Sequence, residues 1–167
     1  MQIAETQRLI VREATESDAS FIKTLLNSPN WLEFIGDRNI KTEEDAKNYI
    51  NNALVNSYKT NGYGLFLVAL KQNNKLIGMS GFVKRDYLSH PDIGFAMLPE
   101  YEGKGYSYEA ANAVMDYGQN VLKASKIYAI TDEGNIKSQN LLKKIGLKQN
   151  GTITPPNSDE ELILFEN

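Results

Sequence analysis

The sequence contains no cysteine and a single histidine, His90. The first absence excludes disulfide bonds and a cysteine nucleophile, and it is compatible with a reducing compartment such as the cytoplasm. One histidine and no carboxylate cluster at ligand spacing do not favour a metal centre. We therefore expect a cytoplasmic protein whose chemistry uses neither disulfide exchange nor a metal ion.

Long apolar segments and basic tracts are absent as well. No apolar run approaches the roughly 20 residues that a helix needs to cross a bilayer, and the first residues do not resemble a signal peptide. The formal net charge is −3, whereas nucleic-acid binding relies on basic patches. The sequence thus predicts neither membrane insertion nor nucleic acid as a partner.

What remains is the composition of an ordinary globular domain, with 41% hydrophobic and 23% charged residues among 167. That length is enough for one core, so we expect one domain over residues 1–167. Capping signals and helical spacing predict helices at 15–26, 42–54, 106–123 and 135–145. Alternating or β-branched runs predict strands at 8–13, 65–70, 76–83, 92–97, 126–131, 147–154 and 160–165. Trp31 and Phe34 are interpreted as core residues rather than as the lining of a pocket.

Residues 91–111 read as a strand, a glycine turn and a helix. Along the strand, Ile93 shares one face with Phe95 and Met97, and the residues between them share the other face. Gly103 and Gly105 permit a tight turn that brings backbone N–H groups close to a ligand, and the following helix directs the positive end of its dipole to the same place. This pattern indicates an anion site, and we expect it to bind phosphates.

Two well-known phosphate motifs do not fit this turn. A P-loop needs Ser or Thr after Gly-Lys, but Gly105 follows Lys104, and a dinucleotide fingerprint needs a glycine where Tyr108 stands. The turn instead resembles the pyrophosphate loop of the GNAT N-acetyltransferase superfamily, which reads Gln or Arg, two residues, Gly, one residue, Gly or Ala. In this sequence Glu102 replaces the first residue of that signature, and Ser107 replaces the last.

A second segment supports the resemblance. From Asn135 to Gly146 the order is Asn, two residues, Ser, two residues, Leu-Leu and a closing Gly, which is similar to the second cofactor motif of the same superfamily. The opening stretch, residues 6–13, resembles the start of the RimJ/RimL-like branch, which acetylates ribosomal-protein amino termini. The resemblance covers nearly the whole chain.

The resemblance implies an α/β (α+β) fold with a mixed, mostly antiparallel central sheet, splayed between its fourth and fifth strands, and with helices on both faces. It also implies acetyl-CoA as cosubstrate and a primary amine as acceptor, either a protein or peptide α-amino group or a small amine. The acetyl group would pass by direct attack of the amine on the thioester. A non-catalytic acyl-CoA sensor with the same fold is the alternative, and the protein would be a monomer or a homodimer.

The cofactor residues that the resemblance implies lie in both motifs and in the central strand. Strand backbone groups would pair with the pantetheine arm, loop amides would bind the pyrophosphate, and the second motif would contact the arm from the other side. The residues are Phe95, Ala96, Met97, Gly103, Lys104, Gly105, Tyr106, Ser107, Asn135, Ser138 and Asn140.

A base is needed to take the proton of the attacking amine. Asp92, at the start of the central strand, is the first candidate and Glu133 the second, while His90 has a suitable intrinsic pKa but lies in a loop. A backbone N–H near Ala96 or Met97 would hold the oxyanion. Many relatives protonate the leaving thiolate with a tyrosine where this chain has Leu142, so Ser138 or a water molecule is the proposed substitute.

Overall fold

The computed structural model describes residues 1–167 and contains eight strands. They are β1 (Gln2–Glu5), β2 (Leu9–Arg12), β3 (Leu65–Leu70), β4 (Leu76–Val83), β5 (Asp92–Met97), β6 (Tyr128–Thr131), β7 (Lys148–Ile153) and β8 (Leu162–Glu166). All eight form one sheet in the order β1-β2-β3-β4-β5-β6-β8-β7. Every neighbouring pair is antiparallel except β5 and β6. The predicted mixed, mostly antiparallel sheet is confirmed.

Six α-helices accompany the sheet: α1 (Ala19–Leu26), α2 (Pro29–Phe34), α3 (Glu43–Tyr49), α4 (Asn56–Asn61), α5 (Tyr106–Asn120) and α6 (Ile136–Lys144). A π-helical segment, Ile50–Val55, joins α3 to α4. The predicted cap of α3 is present, because Thr42 Oγ1 accepts from the N–H of Asp45 at 3.0 Å and the Asp45 carboxylate accepts from the N–H of Thr42 at 2.9 Å. None of the helices has the length and apolar character needed to cross a membrane.

Two apolar clusters cover the two faces of the sheet. One cluster contains α1, α2 and α3 residues together with Leu67 and Met79. The other contains Val114 and Met115 of α5 with Phe66 and neighbouring sheet residues. Because side chains alternate along a strand, adjacent residues such as Phe66 and Leu67 belong to different clusters. Helices therefore lie on both faces, as predicted.

The single parallel pair opens the sheet. β5 and β6 are in register only at Asp92 and Tyr128, where the N–H of Tyr128 donates to the carbonyl of Pro91 at 2.9 Å. Beyond this point β5 stays paired with β4, and β6 stays paired with β8. The two strands diverge where the family resemblance implied, and one edge of β5 is left unpaired from residue 94 onward.

Three elements were not predicted: β1, α2 and α4, the last of which continues the predicted helix beyond residue 54. β1 is only four residues long, and it forms because its residues pair with β2 in an antiparallel register. Pro29 was expected only to end α1, but it also begins α2, where it occupies the first turn. Proline is favoured there because the first N–H groups of a helix have no partner within the helix.

Close packing of β4 against its neighbours makes a first prediction about stability. A Cβ at Gly81 would lie 2.7 Å from the Cα of Leu65 and closer still to the carbonyl of Gly64, whereas a Cβ at Gly94 would meet only a Leu65 methyl group at 3.7 Å. These two glycines are cross-strand partners. We expect Gly81→Ala to lower the free energy of unfolding by about 2–3 kcal/mol and Gly94→Ala to leave it nearly unchanged. Urea unfolding of both variants checks this, and equal effects would contradict the packing argument.

Candidate active site

The divergence of β5 and β6 opens a cleft of about 1360 Å³. Its walls include the outer part of β5, the loop before α5 and the first turns of α6. Residues of α2 and of the segment from α3 to α4 also line the cleft. Sites for one small ligand usually measure about 300–1,000 Å³. The cleft is therefore larger than a typical site for one small ligand.

The loop between β5 and α5 has the geometry of an anion-binding turn. Gly103 and Gly105 have φ angles of 71° and 81°, left-handed values that glycine adopts without strain. The backbone N–H groups of Gly103, Lys104 and Gly105 donate to no acceptor within the protein. α5 begins directly afterwards at Tyr106, so unpaired amides and the positive end of the helix dipole meet at one place, an arrangement that attracts phosphate groups.

Arg8, in the turn between β1 and β2, fixes this loop to the first turn of α5. Its Nε donates to Glu109 Oε2 at 2.7 Å, its Nη1 donates to the carbonyl of Lys104 at 3.1 Å, and its guanidinium lies 4.3 Å from the centre of the Tyr106 ring. Glu109 also accepts from the hydroxyl of Thr6 at 2.6 Å. Although partial burial opposes ionisation, these hydrogen bonds hold the pKa of Glu109 below its ordinary value. The network keeps the loop in one conformation.

The side chains of the loop differ in their relation to the cleft. Gly103, Gly105 and Ser107 line it, whereas Lys104 and Tyr106 do not. Lys104 is exposed, and Tyr106 packs against Arg8. These last two residues were predicted to bind through their backbone amides, and their placement leaves only that route.

Glu102 connects two walls of the cleft at the start of the same loop. Its carboxylate accepts a hydrogen bond from the side chain of Asn30 in α2 and lies 4.0 Å from Nζ of Lys137 in the first turn of α6. Because the Lys137 side chain is 92% exposed, this ion pair contributes little energy. Glu102 lines the cleft, so a negative charge lies next to the site that attracts anions.

The open edge of β5 presents backbone groups at two of the three predicted positions. Pro91 accepts from β6 through its carbonyl, and backbone groups of alternate residues point to opposite edges of a strand. Phe95 and Met97 therefore direct their N–H and C=O groups toward the cleft. Ala96 directs its groups toward β4, where it is paired with Met79. The prediction that Ala96 offers backbone groups to the cofactor or the oxyanion is wrong, although its side chain lines the cleft.

α6 forms the opposite wall. Asn135, Ser138 and Asn140 all line the cleft. The N–H of Ser138 donates to Oδ1 of Asn135 at 3.2 Å, so the Asn135 side chain caps the helix and has only its amide N–H groups left for a ligand. The hydroxyl of Ser138 makes no hydrogen bond within the protein, so it is free to donate to a molecule in the cleft. Leu142 is 1% exposed and also lines the cleft.

Asp92 lies where β5 and β6 begin to diverge. It is 2% exposed, and its Oδ1 accepts from Nε of Arg85 at 2.9 Å. Burial raises the pKa of Asp92 to about 6, with Arg85 acting in the opposite direction. The carboxylate is therefore ionised at neutral pH and has a pKa suited to proton transfer near that pH. Both side chains line the cleft.

The two other candidate bases are less well placed. Glu133 is exposed and does not line the cleft, although its neighbours Asp132 and Gly134 do. His90 does not line the cleft either, and its ring lies 5.9 Å from the ring of Tyr128. Of the three candidates, only Asp92 is in a position to meet a bound substrate, so the structure gives no support to Glu133 or His90 as the base.

The wall formed by α2 corrects one interpretation of the aromatic residues. Trp31 is 3% exposed and belongs to the apolar cluster beneath α1 and α3, as expected for a core residue. Phe34 is 37% exposed, so its interpretation as a core residue is wrong. Both side chains line the cleft, and Trp31 is thus a core residue and a wall residue at the same time.

Sequence reasoning missed three residues that shape the site: Arg8, Asn30 and Arg85. Arg8 meets Glu109 over a separation of 101 residues, and Asn30 meets Glu102 over 72, so only the tertiary fold reveals these contacts. The contact of Arg85 could have been predicted from the sequence. Arg85 carries a charge opposite to that of Asp92 and precedes it by seven residues, across a loop between neighbouring strands.

A splayed sheet with a glycine-rich anion loop at its open edge defines a class of acyltransferases, and comparison with known proteins agrees. A family model described as an acetyltransferase (GNAT) domain matches residues 8–148. The chain therefore belongs to the GNAT acetyltransferase family and is an acyltransferase.

Individual relatives agree with this assignment. The uncharacterized N-acetyltransferase YnaD of Bacillus subtilis strain 168 is 34% identical over 146 residues, which cover 87% of this chain and 82% of YnaD. A GNAT-family acetyltransferase from Bacillus anthracis superposes with a TM-score of 0.81 at 27% identity, covering 100% of this chain and 98% of its own. The RimL ribosomal L7/L12 alpha-N-protein acetyltransferase, solved in complex with coenzyme A, superposes with a TM-score of 0.85 at 14% identity, covering 100% and 97%. That last similarity shows the fold alone.

The position of Glu102 makes a prediction about affinity. Glu102→Gln removes the negative charge beside the anion loop but keeps the oxygen that accepts from Asn30. We expect acetyl-CoA to bind the variant about two- to fivefold more tightly at low salt. The gain should decrease at high salt because screening weakens charge repulsion. Calorimetric titration at two ionic strengths measures both effects.

Glu100→Gln is the matched control for this change. Glu100 is exposed, lies two residues earlier and does not line the cleft, so its loss alters the net charge equally without affecting the site. Equal effects of the two substitutions would show that Glu102 acts only through the net charge of the protein.

Proposed function

We propose that this protein is an acetyl-CoA-dependent N-acetyltransferase that acts on a primary amine, either a protein or peptide α-amino group or a small amine. One observation carries the proposal: a glycine loop with free amides, an unpaired strand edge and a buried carboxylate meet in one cleft. The complex of the RimL neighbour with coenzyme A supports the same ligand here.

The residues around the cleft fit this cosubstrate. Backbone amides of residues 103–107 would bind the pyrophosphate, because they point from a left-handed turn at the start of a 15-residue helix. The open edge at Phe95 and Met97 would pair with the amides of the pantetheine arm as an added strand would. The free amide N–H groups of Asn135 and the hydroxyl of Ser138 would contact the arm from α6. When bound, acetyl-CoA supplies an acyl thioester that an amine can attack.

Asp92 is the proposed general base. It takes a proton from the ammonium form of the acceptor, which frees the nitrogen lone pair for attack on the thioester carbonyl carbon. An N–H of Phe95 or Met97, which point toward the cleft, stabilises the oxyanion that forms. As the carbon–sulfur bond breaks, the nitrogen loses its second proton to give the amide, and Ser138 or a water molecule relays a proton to the leaving sulfur, which departs as a thiol. Arg85 positions Asp92 through its hydrogen bond.

The ordinary pKa values of amines bear on the choice of acceptor. An α-amino group has an ordinary pKa of about 8 and a lysine side chain about 10.4. For any one base, removal of the proton is therefore less unfavourable by about two pKa units for an α-amino group than for a lysine side chain. We therefore infer that α-amino acceptors react faster than lysine side chains.

The cofactor site is tested by adding bulk to the loop. Gly105→Val should weaken acetyl-CoA binding by more than about tenfold, because a branched side chain blocks the approach of the pyrophosphate to the amides. Gly62→Val is the control, since Gly62 has a similar φ of 77° and open space around its Cβ position but lies outside the cleft. Calorimetry should show normal binding for the control. Absence of acetyl-CoA binding by the unmodified protein would overturn the proposed function.

The base is tested by its pH dependence. Because Asp92 must be ionised to accept a proton, kcat/KM should fall as the pH drops through about 6. Asp92→Asn should lower kcat by about 100-fold or more and remove this acidic limb. Thiol release with an α-amino peptide and with spermidine over pH 5–9 measures the profile.

Glu133→Gln is the control for this experiment and should leave the profile unchanged. A retained acidic limb in Asp92→Asn would exclude Asp92 as the base. Acetyl-CoA binding without thiol release for any amine would instead favour the acyl-CoA sensor.

A further inference from the structure

The indole N–H of Trp31 is a buried donor without a partner. Trp31 is the only tryptophan of the chain, and its side chain is 3% exposed. Its Nε1 is the one buried side-chain nitrogen or oxygen in the structure that makes no hydrogen bond. Buried polar groups are nearly always paired in folded proteins, so this exception requires an explanation.

Other polar groups in the same region are satisfied. The hydroxyl of Ser28, three residues earlier, donates to the carbonyl of Leu25 at 2.6 Å. The hydroxyl of Tyr58 donates to the carbonyl of Leu65 at 2.5 Å and accepts from the N–H of Ala14 at 3.1 Å. The packing of this region therefore supplies partners for Ser28 and Tyr58 but not for Trp31.

The surroundings of Trp31 show where a partner can come from. The buried cluster that contains it is apolar, and no group of the protein accepts a hydrogen bond from Nε1. Trp31 also lines the cleft. Its neighbour Asn30 donates to Glu102, which places this part of α2 beside the anion loop. A molecule bound in the cleft can therefore bring a hydrogen-bond acceptor to this residue.

We propose that Trp31 binds substrate, with its indole N–H donating to a carbonyl oxygen of a molecule in the cleft. The inference rests on the proposed function. An indole nitrogen only donates, so the partner must carry an oxygen acceptor. Two substrates carry one: acetyl-CoA, in its thioester and amide groups, and a peptide acceptor, in the carbonyl that follows its α-amino group. A protonated polyamine carries none.

A consequence for specificity follows if the oxygen belongs to the acceptor. Trp31 would then favour peptides over polyamines, because a polyamine leaves the buried N–H unpaired and a peptide does not. Since Nε1 is closed to solvent, entry of the oxygen requires a small movement of the ring or of α2. Binding should therefore change the environment of this nitrogen.

Nuclear magnetic resonance tests the proposal directly, because one tryptophan gives one indole N–H signal. We expect this signal to move downfield when the partner binds. Titration with coenzyme A, then with acetyl-CoA, separates the amides of the arm from the thioester carbonyl. Addition of tetra-alanine or spermidine to the protein saturated with coenzyme A tests the acceptor without turnover.

The expected result is a downfield shift with acetyl-CoA, with coenzyme A or with tetra-alanine. Spermidine, added to the protein saturated with coenzyme A, should cause no additional shift. Binding of acetyl-CoA and tetra-alanine, verified by calorimetry, without a downfield shift would overturn the role of Trp31 and leave the proposed function intact. A downfield shift that only spermidine produces would also overturn it. Failure of acetyl-CoA to bind at all would overturn the proposed function, and this inference with it.

Two replacements of Trp31 provide an independent measurement. Trp31→Phe removes the N–H but also reduces the ring, whereas benzothienylalanine, incorporated in place of tryptophan, keeps the ring size and replaces N–H with sulfur. We expect both to weaken binding of the partner, or to raise its KM, about three- to tenfold. Weakening by Trp31→Phe alone would show that Trp31 acts by packing, which contradicts the proposal.

Discussion

The whole site depends on the one parallel contact between β5 and β6. At Asp92 and Tyr128 the two strands are joined, and each is then held by its other neighbour, β5 by β4 and β6 by β8. Neither strand can move to close the gap without losing an antiparallel ladder. The N–H and C=O groups on the open edge of β5 therefore remain available to a ligand, and backbone groups that lack a partner favour binding of one that supplies it.

The same divergence separates two kinds of electrostatic environment. At the closed end, Asp92 is buried and held by Arg85, which suits the handling of a proton. At the open end, free amides and the start of α5 suit an anion, and the network of Arg8 and Glu109 keeps them in place. Glu102 opposes this second environment. Its contacts with Asn30 and Lys137 indicate that it connects the cleft walls at the cost of some anion affinity.

Much of this architecture could be predicted from local patterns, and the failures have a common cause. Glycines at 103 and 105, the cap at Thr42 and the alternation in 92–97 depend on near neighbours in sequence, and each was predicted correctly. The contacts of Arg8 with Glu109 and of Asn30 with Glu102 depend on residues brought together by the sheet order. The direction of the Ala96 backbone depends on which edge of β5 pairs with β4. No local pattern contains that information.

Trp31 shows how such a site can oppose stability. A buried donor without a partner costs about 1–3 kcal/mol, a considerable fraction of the roughly 5–15 kcal/mol that stabilises a typical domain. A phenylalanine would fill much of the same apolar space without that cost. A buried donor that has no partner in the free protein and gains one in the complex contributes more to binding than a donor that already has a partner within the protein. The unpaired nitrogen is thus better explained by a ligand in the cleft than by the packing of the core, where the other buried side-chain polar atoms have partners.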